Sequence, residues 1–137
     1  MSEDAKNIIV GVTGASGAIY ARRLMRCFCH AEINVHCVFS PNGRRLFLDE
    51  LGTSDLTPEY LSEDSPDRVI MHPYRDVGAV LGSGSFPTIG MIVCPCSTNT
   101  LGAIAGGIAD NLLSRAAAVT LKERRRLILL LREMPLS

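Results

Sequence analysis

Three short stretches of this 137-residue chain carry side chains that could do chemistry. Ser97-Thr98-Asn99-Thr100 places hydroxyls and an amide directly after an apolar run, Met91 to Val93, and the segment Cys94-Pro95-Cys96. A single helix cap needs one such residue, whereas four in a row suit a ligand as well. Arg132 and Glu133 come straight off a second apolar run, Leu127 to Leu131. A guanidinium at that point can fork onto a phosphate, and the carboxylate beside it is placed for proton transfer. The alternative there is a structural ion pair. Gly11, Gly14 and Gly17 follow one another at three-residue spacing at the end of a β-branched run. The spacing departs from G-x-G-x-x-G, so it is a weak dinucleotide fingerprint. Small residues still let backbone approach an anion, the following helix offers N–H groups to it, and Ser16 can add a hydroxyl. A tight turn that needs glycine for packing alone is the competing account. Lys122 can turn inward as a further phosphate ligand, while Arg124 to Arg126 read as a solvated cluster complementing a helix dipole.

The remaining reactive residue types carry less. Cys27, Cys29, Cys37, Cys94 and Cys96 are odd in number, and the acidic start Met1-Ser2-Glu3-Asp4 lacks the features of a secretory signal, so a disulfide framework is not expected. The pairs Cys27/Cys29 and Cys94/Cys96 are spaced more tightly than zinc ligands usually are. The thiols therefore read as small buried hydrophobes, and no metal is expected. His30, His36 and His72 have no carboxylate or nucleophile at a suggestive spacing, and surface or core roles suit them. Lys and Arg number 14 against 14 Asp and Glu, and aromatics make up 5% with no Trp. Neither balance favours nucleic acid, and no apolar run approaches the roughly 20 residues that span a bilayer. The expectation is a single soluble, cytoplasmic domain over residues 1–137 with no nucleic-acid or membrane partner.

These residues need elements to position them. Asn7 to Val12 reads as a strand, followed by a helix from Ile19 to His30 with Ile19, Leu24 and Phe28 inward. Ile33 to Phe39 is a second strand ending at Ser40-Pro41-Asn42-Gly43, and Arg44 to Leu51 a short helix. Gly52 to Asp67 reads as a long loop, Arg68 to His72 as a weak third strand, and Ala79 to Ser85 as irregular. Met91 to Cys94 is the fourth strand, with a helix from about Thr100. Leu112 to Arg124 is a helix, and Leu127 to Leu131 a fifth, buried strand. Apolar strands alternating with helices imply a parallel sheet covered on both faces, and in such sheets ligands bind at the carboxyl ends of strands.

Taken in order, GVTGASGAIY (11–20), GSGSF (82–86), CPCST (94–98), LSRAA (113–117), LKERR (121–125) and LREMPLS (131–137) resemble the UbiX-type flavin prenyltransferases. The similarity is dense over Ile8 to Leu24 and from Gly82 onward, and thin between Thr53 and Pro73. The resemblance implies a three-layer α/β, Rossmann-like or flavodoxin-like fold with a mainly parallel sheet. It implies transfer of a dimethylallyl group from dimethylallyl phosphate to reduced FMN, giving a prenylated FMN used by UbiD-type decarboxylases. FMN contacts are implied at Gly14, Ala15, Ser16, Ser40, Ser97, Thr98, Asn99, Thr100 and Arg132. Lys122, Arg115 and Arg132 are implied to hold the prenyl phosphate, Glu133 to act in proton transfer, and Glu50 to sit by the flavin. Glu133, Lys122, Glu50 and Ser16 are thus the implied catalytic set. Homo-oligomers with sites at subunit contacts are implied too. An allylic cation needs a stabilised anionic leaving group and a dry pocket, which agrees with the residues read above.

Family members continue past the MPLS segment through a last strand and helix that carry a Tyr and a basic residue of the prenyl-phosphate pocket. Their absence supports FMN binding more than turnover. Two rivals follow: an FMN-dependent cysteine decarboxylase relative, which Asn99 favours and for which His72 is the candidate histidine, and a non-catalytic FMN-binding fragment.

Overall fold

Short runs rich in Ile, Val and Leu, each closed by a turn-forming or capping residue, become parallel strands in the computed structural model, which describes residues 6–132. In chain order the elements are β1 (Lys6–Val12), α1 (Ala18–His30), β2 (Ile33–Phe39), α2 (Pro41–Leu51), α3 (Pro58–Leu61), β3 (Val69–His72), β4 (Gly90–Cys96), α4 (Thr98–Ala105), α5 (Leu112–Lys122) and β5 (Arg126–Leu131). Single 3₁₀ turns occupy Pro66–Arg68 and Val80–Gly82. The five strands pair in parallel in the order β3-β2-β1-β4-β5. The expected three-layer α/β architecture is what forms.

β1 is central, and its residues from Ile8 to Val12 are all buried. Alternation along it feeds two cores. Ile8, Val10 and Val12 pack with Ala18, Ala21, Met25 and Phe47 on one face, while Ile9 joins Met91, Leu113 and Ala117 on the other. The chain moves from β1 through β2 to β3 in one direction and from β4 to β5 in the other. Right-handed crossovers therefore place α1 on one face and α5 on the opposite face.

Three expectations need correcting. The inward face of α1 is Ala18, Ala21, Met25 and Cys29, whereas Ile19 is 51% exposed. The helix starts one residue earlier than its sequence suggests, and small residues, not the bulkiest apolar ones, meet the sheet; Leu24 and Phe28 flank that face. The stretch from Gly52 to Asp67 holds α3, capped by the Thr57 hydroxyl, which accepts from the Tyr60 N–H. Among the described residues β5 lies at the edge of the sheet, with Ile128 and Leu130 about 40% exposed, where the sequence suggests a buried strand. An apolar run reads alike in the middle of a sheet and at its rim. Among the described residues, no helix is long and apolar enough to cross a membrane.

Candidate functional site

The reversal of strand order at β1 opens a crevice between the carboxyl ends of β1 and β4, the topological switch point of such sheets. A cleft of about 410 Å³ lies there, within the range of roughly 300–1,000 Å³ common for small-molecule sites. Its walls are the β1 end (Thr13, Gly14), the β2 end and α2 start (Ser40, Pro41, Asn42), the α4 start (Ser97, Asn99, Thr100) and the α5 start (Asn111, Ser114), with Tyr74 alongside.

Three helix N-termini thus face one cavity, and each is capped by a side chain from the residue just before it. Ser40 Oγ accepts from Gly43 N at 3.0 Å. Ser97 Oγ accepts from Thr100 N at 3.2 Å and donates to Thr100 Oγ1 at 2.9 Å. Asn111 Oδ1 accepts from Ser114 N at 2.8 Å. Each cap occupies one first-turn N–H, Pro41 has none and Tyr74 O accepts from Leu112 N at 2.8 Å, so α2 and α5 offer an anion fewer donors than α4 does, while all three present positive dipole ends. Capping and ligand binding, alternatives in the sequence, are compatible here. Close approach of the walls depends on missing side chains. A Cβ on Gly14 would lie 2.4 Å from Asn42 Cβ, and one on Gly43 would lie 2.3 Å from the Val12 carbonyl oxygen.

A second cluster flanks the turn between β1 and α1. The backbone N–H of Arg132 donates to Cys96 O at 3.0 Å, which ties the end of β5 to β4. Its Nε donates to Ser16 Oγ at 3.3 Å, and its guanidinium lies 5.3 Å from the centre of the Tyr20 ring. Glu50, from the last turn of α2, accepts through Oε1 from Gly17 N at 3.0 Å and Ala18 N at 2.8 Å. Two of the N–H groups expected to meet an anion at α1 are therefore held by this carboxylate.

The implied site residues separate into groups. Gly14, Ser40, Ser97, Asn99 and Thr100 line the cleft, and Ser16 with Arg132 form the neighbouring cluster. Ala15 is buried in the turn, and Thr98 is exposed outside the lining. Arg115 packs over Gly82, to one side of the cleft. Lys122 ends α5, whose first residues line the cleft. Ten residues of helix put it about 15 Å away at the opposite edge of the sheet from Arg132. One chain does not bring Lys122 and Arg132 together. Glu133 lies outside the described residues. Sequence reading missed Thr13, Asn42, Tyr74, Asn111 and Ser114. Asn111 before a periodic run is a legible cap signal, whereas Tyr74 reaches the site only through tertiary packing.

Two histidines assigned no common role meet. Asn7 Oδ1 accepts, so His36 donates to it from Nε2 at 3.1 Å. Neutral His36 then accepts at Nδ1, 2.9 Å from His72 Nε2, which donates. Phe86 packs edge-on against the His36 ring, with centroids 5.0 Å apart. His72 ends β3 and does not line the cleft. All five cysteines are free thiols. Burial pushes Cys29, Cys37, Cys94 and Cys96 up, with nearby Arg132 pulling Cys94 partly back. Cys27 departs from the expected burial and is exposed. Arg125, read as a solvated charge, instead donates to Phe86 O at 3.0 Å and Gly84 O at 2.8 Å.

A doubly wound parallel sheet with helix N-termini gathered at its switch point defines the α/β class that binds phosphate-bearing nucleotides. The family model described as Flavoprotein matches residues 1–137. The probable UbiX-like flavin prenyltransferase of Bacillus subtilis (strain 168) is 43% identical over 130 residues, which cover 95% of this chain and 61% of that protein. AnUbiX (PadA1), solved in complex with FMN and dimethylallyl pyrophosphate, aligns at TM-score 0.82 and 38% identity over 97% of this chain and 68% of its own. A dodecameric FMN-dependent UbiX-like decarboxylase from Escherichia coli O157:H7 aligns at TM-score 0.80 and 40% identity over 96% and 69%. The chain belongs to the flavoprotein family and, within it, to the UbiX-type flavin prenyltransferases. It spans about three-fifths of the length of the Bacillus relative.

Proposed function

We propose that the chain binds FMN in the β1/β4 cleft and serves transfer of a dimethylallyl group from dimethylallyl phosphate to reduced FMN. The observation that carries this reading is the convergence of the α2, α4 and α5 N-termini on one cavity beside Arg132. The cleft's volume, its hydroxyl and amide lining and the close backbone approach at Gly14 fit a phosphate-bearing flavin. The relatives support the chemistry, since a similar structure holds FMN and dimethylallyl pyrophosphate together.

Bound reduced FMN supplies the electron-rich N5 and C6 that accept the prenyl group. The chain's residues do the rest. Ser40, Ser97, Asn99 and Thr100 orient the flavin through hydrogen bonds, and Leu113 and Ala103 keep part of the wall apolar. Arg132, directed by Ser16, stabilises the leaving phosphate as the allylic C–O bond breaks with its electron pair. Glu50 fixes the α1 terminus beside Ser16, and Glu133 serves as the proton carrier. Lys122 lies at the far end of α5 from this chain's own cleft, so its phosphate role requires another copy of the chain, while Arg115 directly follows Ser114 of the cleft wall. The dodecameric relative supports a homo-oligomer of that kind. The product would serve a UbiD-type decarboxylase.

Anaerobic incubation with reduced FMN and dimethylallyl phosphate, followed by mass analysis of the released flavin, tests this. A flavin heavier by one five-carbon unit is expected. Unmodified flavin that stays bound would leave the FMN site standing and overturn turnover by this chain. The decarboxylase reading has less support, because His72 is bonded to His36 outside the cleft.

A further inference from the structure

Thr13 directly follows β1 and is only 2% exposed, and both capacities of its hydroxyl are used. Oγ1 donates to Pro95 O at 2.9 Å and accepts from Ser97 N at 2.9 Å. The Thr13 backbone N–H reaches the same Pro95 carbonyl at 3.2 Å. A hydroxyl has one proton, so with Pro95 taking it a lone pair is left for the Ser97 amide. A valine of the same shape could do neither.

The position of these bonds gives them a consequence. The β1/β4 ladder pairs Ile9 with Met91, Val10 with Ile92 and Gly11 with Val93, then stops. Beyond that point Thr13 carries the cross-strand link with both its backbone N–H and its hydroxyl, and only the hydroxyl reaches on to Ser97. Ser97, held by Thr13, is the cap of α4, and Asn99 and Thr100 on the first turn of α4 line the cleft. One residue earlier, Val12 O accepts from Ser40 N at 2.9 Å, which seats the cap of α2. Val12, the last residue of β1, and Thr13 directly after it therefore locate two of the three helix N-termini.

We propose that Thr13 is a positioning residue for the flavin cleft, its hydroxyl setting the α4 N-terminus against β1 so that Ser97, Asn99 and Thr100 meet the ligand in one arrangement. The inference rests on reading the cleft as an FMN site. Its test compares Thr13→Val and Thr13→Ser in the full chain. Two readouts serve: FMN affinity by quenching of flavin fluorescence, and hydrogen exchange of the Ser97 amide without ligand. Thr13→Val is expected to bind FMN roughly tenfold or more weakly and to lose Ser97 protection, with Thr13→Ser close to wild type in both. Valine binding within about twofold of wild type with Ser97 still protected would overturn the proposal, as would a serine variant as weak as the valine. If the valine variant does not fold, Thr13→Ala removes the same hydroxyl without a branched replacement and is read by the same criteria. If wild type itself binds no FMN, the flavin reading falls. Ser97 exchange then still decides whether Thr13 sets α4, and unchanged protection in the variant overturns it.

Discussion

Arg132 is held by its backbone to Cys96, by Nε to Ser16, and over the face of Tyr20. That leaves the terminal nitrogens of an exposed guanidinium for a phosphate, in a planar fork that lysine cannot copy. Arg132→Ala is expected to weaken binding of the phosphate-bearing ligands about tenfold or more by calorimetry, with Arg132→Lys recovering only part. The histidine pair makes a different residue-scale prediction. His36 is pushed down to about 4, first by burial and then by the His72 ring, from an ordinary value of 6.5. Burial also lowers His72, against the pull of Asp76. The unfolded chain takes up protons that the folded chain refuses, so stability falls as pH drops from about 6.5 toward about 4 and levels below that. His36 accounts for on the order of 3 kcal/mol of this loss. Urea midpoints measured across that window should decline in wild type and decline less in His36→Gln, which cannot titrate.

At the scale of elements, the cleft depends on α2 lying hard against the end of β1, and a separate close contact holds the loop before β4 at the amino ends of the strands. Gly43 faces the Val12 carbonyl so closely that an added Cβ would meet backbone, not a yielding side chain. Gly43→Ala should cost about 2–4 kcal/mol in chemical denaturation, since α2 must move off the end of β1. Arg125 fastens the loop at Gly84 and Phe86 to the α5/β5 turn, and Phe86 in turn packs on His36. Losing two charge-assisted bonds at a half-buried site should cost about 1–3 kcal/mol in Arg125→Ala. Limited proteolysis should then cut sooner near residues 83–86, and Arg125→Lys should give only partial protection, for want of the fork.

For the whole molecule, the two ends of the sheet carry different halves of the proposed phosphate machinery. Arg132 and the cleft lie at the carboxyl edge, while Lys122 lies at the opposite edge. A site using both must combine copies of the chain. If so, Lys122→Ala and Arg132→Ala variants, each defective alone, should recover part of the wild-type prenylation when co-assembled, because some shared sites then receive both intact residues. Absence of recovery in mixed oligomers would remove Lys122 from the site. Among the described residues, Ile128 and Leu130 of β5 stand about 40% exposed at the sheet rim.

The sequence by itself determined the strands, the longer helices and the site's address, though not the short α3. An apolar run ending in Ser, Thr, Asn or Gly is a local pattern, and Gly14, Ser40 and Ser97 to Thr100 stood at strand ends because period and punctuation are written in neighbouring residues. Only the tertiary structure decided what those ends meet. Thr13 bonding Ser97 across 84 positions, Glu50 capping α1, His36 meeting His72, β5 falling at the rim and Lys122 lying far from Arg132 all follow from strand order and crossover. Those are global choices, made by burying both faces of β1 at once, and no local window of sequence contains them.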